Sequence, residues 1–261
     1  MQPLTFVHIS DSHLMADPDG QGWQPGPSFA AAEALVRALE SLPAPLAFVL
    51  HTGDVNHDPE SEEAYRHTLA LYRRLNVPLY FLPGNHDCGV WLQRVLSGRQ
   101  DPGPHADQEF ECGGVQFLLP DSSVPAAEGG HGCLAPEQLA WLEARCALPD
   151  PRPLVVALHH NPLSLAVSWP EDLILRNGEA LHEILLRARH RLRCVLYGHI
   201  HESLLTLRDG IPYHSVRGSC FQLRTWYGQE ALGPEPLQWP GYNLVTLTER
   251  DTFIRHCRVR L

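Results

Sequence analysis

The sequence predicts an α/β protein with a ligand site at the carboxyl ends of its strands. Short apolar runs typical of buried strands alternate with segments whose apolar residues recur at helical spacing. Five of the strand-like runs are followed directly by aspartate, histidine or asparagine. In open α/β sheets, ligands bind in the crevice outside the carboxyl ends of the strands. We therefore expect one sheet to bring these five polar clusters together.

The five strands are predicted from short runs of apolar, aromatic and β-branched residues that end at polar residues, Pro or Gly. The runs are Leu4–Ile9, 46–50, 77–83, 154–158 and 194–197, and the clusters after them are Asp11/His13, Asp54, Asn85/His86, His159/His160 and His199/His201. Gly84, which joins the third run to its cluster, is expected to let the backbone turn sharply.

Helices are predicted where apolar residues recur at helical spacing. The segments are 28–42, 90–96, Pro136–Ala147 and 179–192. A further helix is predicted to be capped by Asp58, with Pro59 in its first turn. Alternate arginines from Arg187 to Arg193 are expected to form a solvated face of the last helix. A hairpin is predicted across Gly113–Gly114, and three or four strands after Ser203. No linker-like segment interrupts the chain, so we expect one domain, residues 1–261.

Composition excludes several classes of protein. A hydrophobic share of 44% with 19% charged residues is that of an ordinary soluble globular protein. No apolar run approaches the roughly 18 residues of a membrane span, and no secretion signal is visible. Seven scattered cysteines without a C-x-x-C pair favour a reducing, cytoplasmic location. A net charge of −10 argues against a nucleic-acid partner. The sequence leaves a homodimer open.

The polar clusters together indicate a metal centre. Any single histidine among the sixteen is more often structural than a ligand, but packing gives no reason for every cluster to follow a strand. Residues i and i+2 of an extended chain point the same way, so the pairs in D-x-H and H-x-H can reach one point. Aspartate, histidine and asparagine suit Mn, Fe or Zn. Seven such ligands exceed the need of one ion, and two ions sharing a carboxylate would use them all.

The chain resembles the calcineurin-like metallophosphoesterases in five motifs and in their order. The motifs are Asp11-x-His13, Gly53-Asp54, Gly84-Asn85-His86-Asp87, His159 and Gly198-His199-x-His201. Weaker cues are similar to the class III cyclic-nucleotide phosphodiesterase branch: Asp121-Ser122-Ser123, His131-Gly132, Gln138-Leu139-x-Trp141-Leu142, Asp172-x-x-x-Leu175-x-Asn177-Gly178, Ser219-Cys220-Phe221-Gln222 and Pro240-Gly241-Tyr242. The resemblance implies a four-layer αββα sandwich, in which two mixed β-sheets are flanked by helices, with a dinuclear metal centre at one edge.

The resemblance also implies residue roles. One ion would be held by Asp11, His13, Asp54 and His201, and the other by Asp54, Asn85, His159 and His199, so that Asp54 bridges. His86 would be the catalytic residue beside the leaving group, and Asp87 would hold the loop. His160 is expected to pack behind the ligands or to contact substrate, and Asn56 to contact substrate. Trp23 and segment 162–177 are expected to wall the pocket mouth.

The implied activity is hydrolysis of small phosphodiesters, such as cyclic nucleotides, glycerophosphodiesters or aryl diesters. A hydroxide bridging two Mn, Fe or Zn ions would attack phosphorus, while His86 protonates the leaving oxygen or stabilises its charge. A phosphomonoesterase or a nuclease would use the same centre, and a non-catalytic scaffold could keep the same fold.

One position departs from the resemblance. Protein-phosphatase relatives place a carboxylate three residues after the bridging aspartate, where it orients the catalytic histidine. Here that residue is His57, followed by Asp58, for which we favour helix capping over orienting His86. The sequence leaves open which group fixes the His86 ring.

Overall fold

Two β-sheets packed face to face form the centre of the computed structural model, which describes residues 2–20, 28–125, 128–167, 171–231, 233–235 and 238–261. The strands are β1 Leu4–Ile9, β2 Val49–His51, β3 Leu79–Phe81, β4 Gln108–Cys112, β5 Val115–Leu119, β6 Leu154–Ala157, β7 Leu192–Tyr197, β8 Leu205–Arg208, β9 Ile211–Ser215, β10 Leu223–Arg224, β11 Gly233–Pro234, β12 Gly241–Leu247 and β13 Thr252–Arg258. In the described part of the chain after Ser203 there are thus six strands, where three or four were predicted.

The helices lie between these strands. They are α1 Ser28–Glu40, α2 Glu62–Tyr72, α3 Gly89–Trp91 with a π-helical turn at Leu92–Leu96, α4 Pro136–Ala147 and α5 Gly178–Arg187. Short 3₁₀ turns are found at Arg73–Leu75 and Glu171–Leu173. Among the described helices, none is both long and apolar enough to cross a membrane.

Both large sheets are mixed. The first has the order β13-β12-β1-β2-β3, in which β1, β2 and β3 are parallel and β12 and β13 add antiparallel strands at one side. The second has the order β4-β5-β6-β7-β9-β8, with four parallel strands between antiparallel edges. Strands β10 and β11 form a separate small ribbon. All five polar clusters follow parallel strands, namely β1, β2 and β3 of the first sheet and β6 and β7 of the second.

Three apolar cores separate four layers, because side chains alternate between the two faces of each buried strand. The core between the sheets contains Phe6 and Phe48, whose rings stack at 4.6 Å. Outside the first sheet, Val7 packs with the apolar residues of α1 and α2. Outside the second sheet, Val156 packs with α4 and α5. The predicted sandwich of two mixed sheets flanked by helices is confirmed.

Two helix predictions are wrong. Helix α2 is capped by Ser61, whose hydroxyl accepts from the Ala64 amide, whereas Asp58 accepts from Glu60 in the preceding turn. Helix α5 ends at Arg187, and β7 begins five residues later, so the arginines share no helical face.

Arg191 in particular is buried rather than solvated. Its guanidinium donates to Gln116 Oε1 and to the carbonyls of Arg145 and Arg152. These three acceptors compensate for the loss of water, so Arg191 fastens α4 and the loop before β6 to the second sheet.

Candidate metal centre

The polar clusters meet where the two sheets end together. Asp11, His13, Asp54 and Asn85 follow strands of the first sheet, and His159, His199 and His201 follow strands of the second. The expectation that one sheet carries all five clusters is therefore wrong. Direct bonds join the two sets: the His199 amide donates to the Asp11 carboxylate at 3.1 Å, and His159 Nδ1 donates to the Thr52 carbonyl at 2.8 Å.

The first group of donor atoms comes from Asp11, His13, Asp54 and His201. The two imidazole Nε2 atoms of His13 and His201 are 3.2 Å apart, and His201 Nε2 is 3.3 Å from Asp11 Oδ1. His13 Nε2 is 3.5 Å from Asp54 Oδ2. All four side chains are buried and could hold one ion.

The second group lies on the other side of Asp54. His159 Nε2 is 3.2 Å from both Asn85 Oδ1 and His199 Nδ1, and 3.5 Å from Asp54 Oδ2. The same carboxylate oxygen therefore belongs to both groups. The structure brings all seven sequence-predicted ligands together, four to each group with Asp54 shared.

The donor geometry fits two cations. With metal–ligand bonds of about 2.0–2.2 Å, neighbouring donors around one ion lie roughly 2.9–3.6 Å apart, a range that includes the six donor–donor distances given above. His159 donates Nδ1–H to the Thr52 carbonyl, and His201 donates Nδ1–H to the Phe221 carbonyl at 3.0 Å, so Nε2 is the atom that each ring presents to the centre. Such outer hydrogen bonds fix the tautomer of metal-binding histidines. The Nε2 atoms of His13 and His201 lie 3.2 Å apart. If both carry lone pairs they repel each other, and a cation between them would remove this repulsion.

The electrostatics also suit cation binding. Burial holds the pKa of His13 well below its usual value and that of His199 at about 3, so both are neutral, as ligands must be. Burial alone would raise the pKa of Asp54 and lower that of His159. Their mutual attraction reverses both effects: the pKa of Asp54 is held well below its usual value, and that of His159 is raised to about 9. A cation would take the place of the His159 proton.

Five of the seven residues adopt left-handed backbone conformations. They are Asp11 (φ 56°), His13 (φ 44°), Asp54 (φ 51°), His199 (φ 69°) and His201 (φ 52°). Left-handed backbone is uncommon outside glycine and carries strain, which persists where the surroundings enforce it and which clusters at functional sites. The left-handed backbone turns each of these side chains towards the shared centre within four residues of the end of its strand.

Gly84 begins a turn, because its carbonyl accepts from the Asp87 amide at 3.2 Å. Its φ is not in the left-handed region, so the turn does not by itself require glycine. A Cβ at this position would overlap Asp54 Oδ1 and the Asp54 backbone nitrogen. Glycine therefore allows the loop after β3 to lie directly against the shared carboxylate.

Asp87 holds this loop in place, as expected. Its carboxylate accepts from the amides of Val55 (2.9 Å), Asn56 (3.0 Å) and Gly84 (3.0 Å) and from the Tyr65 hydroxyl (3.3 Å). The carboxylate thus ties the loop after β3 to the loop after β2 and to α2.

His86 lies at the edge of the centre. Its backbone amide donates to Asp54 Oδ1 at 2.9 Å, and its ring packs edge-to-face on His13 with centroids 4.8 Å apart. The His57 ring stacks on it at 5.6 Å with an interplanar angle of 18°. Across the described ranges, no hydrogen bond reaches the His86 imidazole. Asp58, which was considered for this role, bonds to the Glu60 amide instead.

The two residues expected to contact substrate face the protein. Asn56 is fully buried, and its Oδ1 accepts from the Thr68 hydroxyl of α2 at 2.8 Å. His160 is also fully buried, with Nδ1 bonded to Ser122 Oγ at 2.9 Å and Nε2 to the Gly130 carbonyl at 3.2 Å. Both nitrogens of His160 are bonded and none is free for substrate or a metal, whereas Asn56 Nδ2 has no partner among the described residues but is buried. Trp23 and residues 168–170 of the expected pocket wall lie outside the described residues.

The supports of the ligands were missed from the sequence. The carbonyls of Thr52 and Phe221 orient two of the candidate ligand histidines, and Ser219 donates its amide to the carbonyls of Ser10 and Asp11. The Phe221 ring also stacks on His201 at 4.0 Å. Segment 219–222 was visible in the sequence only as a weak family cue. Its contact with His201 is made by the backbone carbonyl of Phe221, and any residue type has such a carbonyl.

Two mixed sheets that end at paired histidine, aspartate and asparagine clusters define a dinuclear metallohydrolase. Residues 4–203 match the family model of the calcineurin-like phosphoesterases, and the chain belongs to this family. The family prediction is thereby confirmed.

Relatives agree with this assignment. The chain is 31% identical over 253 residues to a 3′,5′-cyclic-nucleotide phosphodiesterase of Nostoc sp., covering 96% of this chain and 90% of the relative. It is 32% identical over 219 residues to the 3′,5′-cyclic adenosine monophosphate phosphodiesterase CpdA of Pseudomonas aeruginosa, covering 84% and 77%. A dimetal phosphatase of Danio rerio shares the fold with a TM-score of 0.67 at 15% identity over 98% of both chains.

Proposed function

We propose that this protein is a dinuclear-metal phosphodiesterase that hydrolyses small phosphodiesters, with 3′,5′-cyclic nucleotides as its substrate class. The observation that carries the proposal is the pair of ligand groups that share one oxygen of Asp54. The names of the Nostoc and Pseudomonas relatives support the substrate class. The net charge of −10 disfavours a nuclease, which must approach a polyanion.

In this proposal, Asp11, His13, Asp54 and His201 hold one cation, and Asp54, Asn85, His159 and His199 hold the other. Two cations held by these residues would supply Lewis-acid charge for the phosphate oxygens and a water of lowered pKa. The chain has no lysine, so the phosphate charge must be neutralised by the cations, histidine or arginine. The donor set of nitrogen and oxygen atoms favours Mn, Fe or Zn.

His86 is the proposed proton donor. Its ring is half-buried beside His13, and its backbone is fixed to Asp54, so it lies at the open edge of the centre. A phosphodiester leaving oxygen at this edge would receive a proton from the imidazole as its bond to phosphorus breaks. Proton donation from a positioned side chain is worth roughly 10²–10⁴ in rate.

A cytoplasmic location is also proposed. All seven cysteines are free, which suits a reducing compartment better than an oxidising one. Fractionation of the native cells would test this location.

The function is tested by a substrate panel on protein of measured metal content. It compares 3′,5′- and 2′,3′-cyclic nucleotides, a glycerophosphodiester, bis(p-nitrophenyl) phosphate, a phosphomonoester and single-stranded DNA by kcat/KM. We expect the highest value for a 3′,5′-cyclic nucleotide, loss of activity with a chelator, and recovery with Mn²⁺. The matched control Asp54→Asn should lose activity on every substrate. A higher value for the monoester or DNA would replace the proposed substrate class, and no hydrolysis of any ester would indicate a binding scaffold.

A further inference from the structure

His86 needs a neighbour that fixes its ring. A general acid acts only when its nitrogen is within hydrogen-bond reach of the leaving oxygen, yet the described part of the chain offers its imidazole no hydrogen bond. The backbone bond from the His86 amide to Asp54 fixes the main chain and leaves rotation about the side-chain bonds free. Packing must therefore set the orientation of the ring.

Among the described residues, two rings pack against His86, and they differ in what they can contribute. His13 meets it edge-to-face at 4.8 Å, but the orientation of His13 is set by its place among the candidate ligands. His57 lies nearly parallel to it, with centroids 5.6 Å apart and planes 18° apart. One ring nitrogen from each of His13, His57 and His86 lies within 4.8 Å of the other two. His57 thus packs nearly parallel to the His86 ring and stands outside both ligand groups.

The backbone of His57 is firmly held. Its amide donates to the Leu14 carbonyl at 2.9 Å, and the preceding residue, Asn56, forms a β-bridge with Leu14. The Asn56 amide also donates to Asp87, which holds the loop that carries His86. The two rings therefore stand on loops that the Asp87 carboxylate ties together, so the fold fixes the distance between the two backbones that carry them.

We propose that His57 is a positioning residue, whose ring packs against His86 and holds that imidazole in the orientation from which it protonates the leaving oxygen. The inference rests on the proposed function. A carboxylate at position 57 would orient His86 through a hydrogen bond to a ring nitrogen. An imidazole stacked 18° from parallel acts through its ring face instead, and leaves the His86 nitrogens free for the substrate.

Action through a ring face makes a specific prediction for substitutions. His57→Phe keeps an aromatic face and removes both nitrogens, whereas His57→Asn keeps a polar group and removes the ring, and His57→Ala removes both. From the usual strength of aromatic pairs, kcat should fall roughly three- to tenfold in the Ala and Asn variants. His57→Phe should stay within about twofold of the wild type, and KM should change little in all three.

A comparison of two substrates with different leaving groups distinguishes a positioning role of His57 from a general loss of structure. A cyclic nucleotide expels an alkoxide, which needs a proton, whereas bis(p-nitrophenyl) phosphate expels a stable phenolate. The Ala and Asn variants should therefore lose more activity on the cyclic nucleotide. A disturbed fold or metal centre would reduce both reactions alike, and metal content is measured for each variant. His190→Ala, at an exposed position, is the control and should match the wild type on both substrates.

A readout independent of activity is the order of the His86 ring, measured by NMR relaxation of its carbon-bound protons. We expect ring order in the wild type and His57→Phe, and greater mobility in His57→Ala and His57→Asn. Unchanged ring order in all variants would overturn the inference, as would a His57→Phe variant as impaired as His57→Ala. An inactive wild type would refute the proposed function alone, because ring order would still decide the role of His57.

Discussion

Replacement of Asp87 by asparagine tests how the loop that carries Asn85 and His86 is held. Burial, together with the charge of Asp54, raises the pKa of Asp87 to about 6, so the carboxylate is ionised at pH 8. Ionised, it accepts four hydrogen bonds, two at each oxygen. Asparagine has nearly the same volume but only one accepting oxygen, so its NH₂ group must face two of the four donors.

The expected loss of stability follows from the better of the two orientations that the side-chain amide could adopt in the Asp87→Asn variant. With the NH₂ group at the position of Oδ1, the Tyr65 hydroxyl can turn and accept from it, but the Asn56 amide loses its acceptor. An unsatisfied buried donor costs about 1–3 kcal/mol, and bonds to a charged acceptor are worth about 1.5–3 kcal/mol against about 1 kcal/mol for neutral ones. Because loss of the charge also relieves repulsion from Asp54, we expect Asp87→Asn to destabilise the protein by about 2–4 kcal/mol.

Urea unfolding followed by circular dichroism, at pH 8 in the presence of a chelator, measures this change without a contribution from bound cations. Asp101→Asn is the matched control, because Asp101 is exposed, and it should change the free energy of unfolding by less than about 0.5 kcal/mol. An Asp87→Asn variant as stable as this control would refute the account of the loop.

Three further predictions concern the centre itself. His86→Ala should retain both cations by elemental analysis and lose roughly 10²–10⁴ in kcat; wild-type turnover would remove its catalytic role. Gly84→Ala, which forces a Cβ onto Asp54, should lower cation affinity and stability, whereas Gly89→Ala, with no neighbour within 4 Å of its Cβ, should do neither. Because the pKa of His159 is about 9, protons compete with a cation there more strongly as pH falls, so calorimetry should find affinity rising about tenfold per unit from pH 7 to pH 9; a flat profile would contradict this competition.

Local features of the sequence predicted much of the fold and the residues that meet at the candidate centre. Helix α4 has the predicted bounds, because Pro136 fixes its start and its apolar residues recur at helical spacing. The strand ends that carry Asp11 and His199 are equally local, since each follows an apolar run directly. The assembly of those ends from two sheets depends on contacts far along the chain, which no single segment records.

The sequence alone could not decide where two local solutions were equally good. Asp58 and Ser61 can both cap a helix, and the structure uses Ser61 because Asp58 forms its own turn with Glu60. His159 and His160 are identical in type, and only distant partners distinguish them: the bonds from Ser122 and Gly130 occupy both nitrogens of His160. In the same way, distant acceptors allowed Arg191 to be buried.

The most direct test of the dinuclear centre is a titration of metal-free protein with Mn²⁺ while hydrolysis of a 3′,5′-cyclic nucleotide is measured. If the two ligand groups that share Asp54 act together, activity should stay low up to one equivalent of cation and rise to its maximum at two. Asn85→Ala, which removes a ligand from one group only, should bind one cation tightly and remain nearly inactive. Full activity at one equivalent, in the wild type or in this variant, would contradict the account.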